Sequence, residues 1–166
     1  TAKDTSGAQA SSSNYTICPN ITSILPAQGT IGQIITINGE GFKYGEVIDI
    51  SISGSQVVEN CIVNSSGSMN GTFTVGSQTG GTKTVLAAGQ QSTSATYTFK
   101  MIPNIYMVNP CNGIVGTQVE VRGNAYTGTN TLINIDFGST VKIGTLTGYT
   151  EPDGPGTFQF YFNVNT

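Results

Sequence analysis

The sequence lacks histidine and is poor in charge. Among 166 residues, six Lys and Arg face nine Asp and Glu, which leaves a net charge of −3 and a charged fraction of 9%. Without histidine the chain cannot build a Ser-His-Asp or Cys-His nucleophile, nor a zinc site that uses histidine. Six scattered cations do not form the basic patch that nucleic-acid binding requires. No apolar run approaches the roughly 18 residues of a membrane span.

Uncharged polar residues dominate what is present. Thr, Ser, Asn and Gly make up almost half of the chain, beside an ordinary supply of β-branched and aromatic residues. Helix-forming residues are scarce, and no window shows the i, i+3, i+4, i+7 spacing of an amphipathic helix. This composition favours many short strands joined by turns.

The termini and surface motifs fit a secreted protein. The chain begins at Thr1 rather than Met, so either a leader was removed or the sequence is a fragment. Residues 1–16 contain almost nothing to bury, and we expect a flexible Ser/Thr-rich tail there. Four Asn-X-Ser/Thr motifs are candidate glycosylation sites of a secreted chain, namely Asn14, Asn20, Asn64 and Asn70.

The cysteines and carboxylates of the sequence show no motif of a metal-binding or catalytic site. Three cysteines are an odd number, so a Cys18–Cys61 bridge would leave Cys111 over; three unpaired cysteines remain the alternative. There is no Cys-x-x-Cys pair, and the acids lack the spacing of a calcium loop or a recognisable catalytic pair. We therefore expect no metal, no cofactor and no enzyme activity.

Comparison of the sequence with itself shows a repeat at an offset of 84 residues, so that Pro19 matches Pro103. Residues 19–39 read PNITSILPAQGTIGQIITING and residues 103–123 read PNIYMVNPCNGIVGTQVEVRG. The identical pairs are Pro19/Pro103, Asn20/Asn104, Ile21/Ile105, Pro26/Pro110, Gly29/Gly113, Gly32/Gly116 and Gly39/Gly123. Further on, Gly71-Thr72-Phe73 aligns with Gly156-Thr157-Phe158 after one inserted residue. We therefore conclude that the sequence contains two copies of one unit.

The first copy reads as seven short strands. They are predicted at residues 21–25, 33–38, 47–53, 56–64, 72–75, 83–88 and 93–100, with a turn over Gln28–Gly32. Seven strands in about 84 residues are typical of a β-sandwich.

The motifs of the first copy resemble the IPT/TIG family of immunoglobulin-like modules. They are the proline-framed stretch Pro19 to Pro26, the turn Thr30-Ile31-Gly32 and the element Gly39-Glu40-Gly41-Phe42. The second copy departs at the last element, where Gly123-Asn124-Ala125-Tyr126 stands. The resemblance covers most of residues 17–166 and implies a fold rather than a function, since such modules occur in surface receptors, microbial surface proteins, secreted glycosidases and transcription factors.

The second copy stops early. After Phe158 only eight residues remain, so the equivalents of the last two strands of the first copy are missing. Three explanations stay open: the sequence is part of a longer protein, a neighbour donates or receives strands, or the second copy is a smaller sandwich. The final segment alternates, and Phe158, Phe160, Phe162 and Val164 on one face are the candidate residues for strand exchange.

We therefore predict an all-β chain of two tandem immunoglobulin-like sandwiches, the second lacking its last two strands. The predicted divisions are a tail at 1–16, a first domain at 17–100 and a second at 101–166. The predicted function is a non-catalytic building block of a secreted, cell-surface filament, sheath or surface layer. It would assemble as a homopolymer or with neighbouring modules, and glycans are expected. The alternatives are an adhesin or receptor ectodomain that binds a protein or glycan, and an accessory module of a secreted carbohydrate-active enzyme.

Overall fold

The structure is a computed structural model that describes residues 2–3, 5–7, 9–10, 16–127, 132–138, 140–147 and 156–164. Within these ranges the chain is all-β, as predicted, and contains no helix. We call residues 19–101 the first repeat and residues 103–164 the second repeat.

The strands follow the sequence repeat. Before the first repeat lie β1 (Ala2–Lys3) and β2 (Gln9–Ala10). The first repeat holds β3 (Asn20–Leu25), β4 (Gln28–Gly29), β5 (Ile34–Glu40), β6 (Val47–Ile52), β7 (Ser55–Ile62), β8 (Met69–Thr74), β9 (Gly81–Gly89) and β10 (Ser94–Met101). The second repeat holds β11 (Asn104–Asn109), β12 (Gln118–Asn124), β13 (Leu132–Phe137), β14 (Thr140–Thr147) and β15 (Phe158–Asn163).

Two sheets enclose the core of the first repeat. One has the strand order β3-β5-β8, and the other has the order β4-β10-β9-β6-β7. Their inward faces are lined by alternate residues of each strand, as in Ile48, Ile50 and Ile52 of β6, all fully buried. This period-two pattern is what places one face of each strand inside a sandwich. All seven predicted strands are confirmed.

One predicted turn is partly a strand. Gln28–Gly29 pairs in parallel with the end of β10, so that Lys100 stands opposite Gln28 and Met101 opposite Gly29. The sequence analysis placed a turn over Gln28–Gly32, because a two-residue strand is too short to show periodicity.

The second repeat reproduces the register of the first. In β3 and β5, Ile21 pairs with Gly39 and a β-bulge follows before Ser23; in β11 and β12, Ile105 pairs with Gly123 and the same bulge follows before Met107. The described strands form the sheets β11-β12-β15 and β13-β14. No strand in the described ranges corresponds to β9 or β10.

The end of the second repeat corrects the sequence alignment. Gly39 pairs with Met69 in the first repeat, and Gly123 pairs with Phe158 in the second, so Phe158 occupies the place of Met69 rather than that of Phe73. The backbone agrees, since the N–H of Val75 donates to Gln33 at 2.9 Å and that of Val164 to Thr117 at 2.9 Å. β15 is therefore the full counterpart of β8.

The repeats touch through a tight backbone contact. The N–H of Gly80 donates to the carbonyl of Tyr126 at 3.3 Å. Ala125, with a φ of 58°, is fully buried and packs with the core of the first repeat. A Cβ on Gly80 would overlap the carbonyl oxygen of Ala125, so the approach requires glycine.

The predicted domain boundaries stay predictions. Ahead of the first repeat, the predicted tail contains a two-stranded antiparallel ribbon in which Ala2 pairs with Ala10 and Lys3 with Gln9.

Candidate strand-acceptor groove

The second repeat presents apolar residues that the first repeat buries. Ile21 is 1% exposed and Ile24 2%, whereas their equivalents Ile105 and Val108 are 51% and 49% exposed. In the first repeat β10 packs against β3 and covers this strip. No described strand does so in the second repeat, and the strip lies open.

Between the sheets of the second repeat lies a cavity of about 340 Å³ with mainly apolar walls. It is lined from β11 by Ile105 and Val108, from β12 by Val119 and Val121, and from the opposite hairpin by Ile135 and Phe137, with Phe162 and Val164 beside them. The rings of Phe137 and Phe162 approach to 5.4 Å between centroids. We call this cavity and the exposed strip of β11 the groove.

Backbone positions at the rim of the groove also match positions that are paired in the first repeat. The carbonyl of Ala27 accepts from Lys100 at 3.2 Å and that of Gly29 accepts from Ile102 at 2.9 Å. Their equivalents are Cys111 and Gly113, which line the cavity. No described strand pairs with residues 111–113. The rim therefore offers hydrogen-bonding backbone as well as apolar surface.

The outer face of the same sheet is polar. Arg122 donates to Glu120 at 2.6 Å, and Gln159 also donates to that carboxylate. The hydrogen bond from Arg122 is the main reason that the pKa of Glu120 lies below its ordinary value. Because Glu120 and Arg122 alternate with Val119 and Val121, this cluster faces away from the groove.

The strand predicted to be exchanged is used within its own repeat. Phe158, Phe160 and Phe162 lie in β15, which pairs along its length with β12, and Val164 follows it. Phe158 is fully buried and its ring meets that of Tyr126 edge-on at 4.9 Å. Of these residues, Phe162 and Val164 line the cavity, and strand exchange stays a prediction.

The predicted glycosylation sites in the described ranges are all exposed. Asn20 lies in β3, and Asn70 in β8 donates to Asn38 at 2.7 Å. The side-chain oxygen of Asn64 accepts from the backbone of Ser66 and Ser68, each at 3.0 Å, and so shapes its loop. Asn14 lies outside the described residues. Glycosylation of these sites stays a prediction.

All three cysteines are free thiols, so the predicted Cys18–Cys61 bridge does not form in this structure. The two residues Cys18 and Cys61 lie in different surroundings. Cys61 is buried and donates to the carbonyl of Asn70 at 3.2 Å, whereas Cys18 is exposed ahead of β3. Burial raises the pKa of the Cys61 thiol, against a smaller lowering by the bond to Asn70. Cys111 is exposed at the groove rim.

The buried acid Glu46 serves the fold. Glu46 is almost fully buried, and its carboxylate accepts from the hydroxyl of Thr93 at 2.7 Å and from the N–H of Gln91 at 3.1 Å. It therefore holds the turn between β9 and β10. In the part of the chain that the structure describes, no three His, Cys, Asp or Glu side chains gather as a metal site would require. The described residues also include no helix long and apolar enough to cross a membrane.

Sequence reasoning named Ile105 and Gly113 only as repeat matches and Cys111 only as an odd cysteine, and it did not assign them or Val108 to a groove. The available signal was the repeat itself. Aligning each position of the second copy with its counterpart shows which apolar residues the missing strands would have covered.

These features define an immunoglobulin-like β-sandwich followed by a second repeat that shares its register and has an open groove. The IPT/TIG domain model matches residues 19–101, half of the chain, and the chain belongs to this family. Domains of the family are typically non-catalytic immunoglobulin-like modules. No curated protein matches the sequence.

Two solved structures show a weak similarity to this chain. One is a putative membrane-anchored protein from Corynebacterium diphtheriae, with 13% identity and a TM-score of 0.43, covering 64% of this chain and 30% of that one. The other is described as a crystal structure with a xylogluco-oligosaccharide, with 16% identity and a TM-score of 0.33, covering 86% of this chain and 34% of that one. The chain thus spans about a third of the length of each.

Proposed function

We propose that the chain is a non-catalytic structural building block of an extracellular assembly, such as a filament, sheath or surface layer. It joins a neighbouring immunoglobulin-like module through the groove. The observation that carries the proposal is the contrast between Ile21 and Ile24, which are buried, and Ile105 and Val108, which are half exposed at the same register positions.

An apolar strip beside unpaired backbone is the surface that strand addition uses. Main-chain hydrogen bonds supply affinity and pockets for alternate side chains supply specificity. Such a contact between unlike surfaces is heterologous, and repeated contacts of this kind extend a chain of modules unless they close into a ring. Low charge and abundant Thr, Ser, Asn and Gly suit the hydrated exterior of such an assembly.

Sedimentation velocity tests the proposal. In the absence of a neighbouring module, we expect the isolated chain to self-associate as its concentration rises, because copies cover one another's grooves. The Val108→Asp variant should stay monomeric, since the charge makes burial of the strip costly. The matched control is Ile62→Asp, which changes a well-exposed Ile of β7 in the first repeat.

Two results would contradict the proposal. A chain that stays monomeric at all concentrations has no surface for self-assembly, and binding of that monomer to cells or glycans would instead support an adhesin. Association that survives Val108→Asp but is lost in Ile62→Asp would place the assembly surface on the first repeat.

A further inference from the structure

A second cavity, of about 260 Å³, lies where the two repeats meet. The described residues that line it are Ile31 and Ser77 from the first repeat and Tyr106, Asn124 and Thr157 from the second. We call this cavity the inter-repeat cleft; it shares none of these residues with the groove. We propose that the inter-repeat cleft binds one sugar unit of a neutral glycan, a function separate from assembly through the groove.

Backbone contacts hold the two walls of the cleft together. The N–H of Tyr126 donates to the carbonyl of Gly156 at 2.9 Å, and the N–H of Gly80 donates to the carbonyl of the same Tyr126. A Cβ on Gly156 would lie 2.9 Å from the Cα of Thr79, so the two repeats also approach closely there. The cleft is therefore shaped before a ligand arrives, which lowers the entropic cost of binding.

Asn124 carries an acceptor that the protein leaves unused. It is 7% exposed, and its side-chain oxygen is buried without a hydrogen-bond partner among the described residues. Gln78, which follows Ser77 in the chain, has a second such oxygen within the described ranges. Buried oxygens of this kind are rare, because desolvation without a hydrogen bond is costly. A donor that enters the cleft removes this cost, and the broad χ2 preference of Asn lets its amide turn towards that donor.

Tyr106 supplies an aromatic surface to the cleft. It stands at the β-bulge between Ile105 and Met107, and a bulge re-aims a side chain. The first repeat has the same bulge but carries Thr22 there. Because Tyr106 is partly exposed, its ring can gain contact area when a ligand binds.

The lining favours a neutral ligand that has several hydroxyl groups. None of the described lining residues is charged at neutral pH, so an ion would lose its hydration there without gaining a counter-charge. A sugar can donate a hydroxyl to Asn124 while its C–H face packs on Tyr106. Small-molecule sites combine apolar walls with a few placed polar groups in this way.

An extended peptide fits the cleft less well than a sugar does. Peptide strands are recognised mainly through main-chain hydrogen bonds along an open sheet edge. Asn124 lies in β12, which is paired with β11 on one side and with β15 on the other. The acceptor in the cleft is therefore a side-chain amide and not a strand edge.

An NMR titration of the full chain tests the proposal. The probes are the methyl glycosides of glucose, galactose, mannose, xylose and N-acetylglucosamine, each added separately to isotopically labelled protein. We expect at least one of them to shift the side-chain amide signals of Asn124 and the backbone signal of Tyr106 in a saturable way. The affinity should be in the millimolar range, because one sugar unit makes few contacts. Shifts with none of the five glycosides, or shifts confined to residues outside the cleft, would overturn the proposal.

Substitutions in the cleft identify the contacts. Tyr106→Ala and Asn124→Ala should each weaken glycoside binding at least about tenfold, whereas Tyr106→Phe keeps the ring and should bind as the wild type does. The matched control is Tyr97→Ala, which changes a comparably exposed tyrosine of the first repeat. Binding that is unaffected by Tyr106→Ala overturns the site even if Asn124→Ala fails to fold.

Two sources would supply such a sugar, namely a separate polysaccharide or a glycan attached to an Asn of another copy. Polysaccharide extracted from the native source should co-sediment with the unglycosylated chain in the first case, and the glycoside that binds should release it. In the second case, enzymatic removal of N-glycans should abolish the self-association that this glycoside inhibits. Because the cleft and the groove share no lining residue, Tyr106→Ala should leave self-association of the unglycosylated chain unchanged.

Discussion

The clearest quantitative prediction compares one substitution at two equivalent positions. Ile21→Ala and Ile105→Ala remove the same atoms from the same place in the two repeats. Truncation of a fully buried Ile costs about 2–5 kcal/mol, through lost transfer free energy and a residual cavity. Ile21 is 1% exposed, so we expect a loss in this range for the first repeat.

The Ile105→Ala substitution should lower the unfolding free energy much less. Its side chain is 51% exposed, which leaves about half of the transfer term, and an open groove leaves no enclosed cavity behind. The full transfer value of such a side chain is about 1.5–3 kcal/mol, so we expect about 1 kcal/mol for Ile105→Ala.

Hydrogen exchange read by mass spectrometry measures each repeat separately. Central amides of β5 report the opening free energy of the first repeat, and those of β12 report that of the second. The control is Ile34→Ala, which changes a largely exposed Ile of β5 and should stay within about 0.5 kcal/mol of wild type.

One result would refute the reasoning. If Ile105→Ala costs as much as Ile21→Ala in the isolated chain, then Ile105 is already buried there and the groove is closed by the chain's own residues.

Three further predictions test the surrounding structure. Glu46→Ala should lower the unfolding free energy by about 2 kcal/mol in urea titrations, because buried donors, including the Thr93 hydroxyl, lose their acceptor; an unchanged midpoint would contradict this. Gly80→Ala should loosen the contact with Ala125 and change the inter-repeat distances seen by small-angle scattering, whereas an identical profile would not fit. Burial raises the Cys61 pKa above 9.0, so stability should fall as the pH rises beyond that value, and Cys61→Ala should flatten the slope.

Strand positions were predictable because alternation is a local property. Each strand of the first repeat buries one face, and the sequence shows this period directly, as in Ile48, Ile50 and Ile52. The 84-residue offset likewise predicted the shared register of the first two long strands in each repeat.

Register at the end of the second repeat was not predictable from a short motif. The sequence Gly-Thr-Phe occurs at Gly71 and at Gly156, but only the first lies inside a strand; the second ends at Phe158, where β15 begins. Pairing with β12 decides the register, and that information is non-local.

Buried polar groups were also missed for a physical reason. Glu46 reads as a surface acid, because a charged side chain is rarely buried. Its burial depends on donors some 45 residues later in the chain, at Gln91 and Thr93, which a local pattern cannot show. The groove required the same kind of knowledge, since it follows from which strands cover which residues.

Photo-crosslinking from inside the groove tests the central claim most directly. A p-benzoylphenylalanine at position 108, in protein isolated from its native source, reports what covers the strip of β11. The account predicts crosslinks to an alternating apolar β-segment of another module. Crosslinks confined to residues 1–166 of the same polypeptide, or none above a control placed at Ile62, would contradict it.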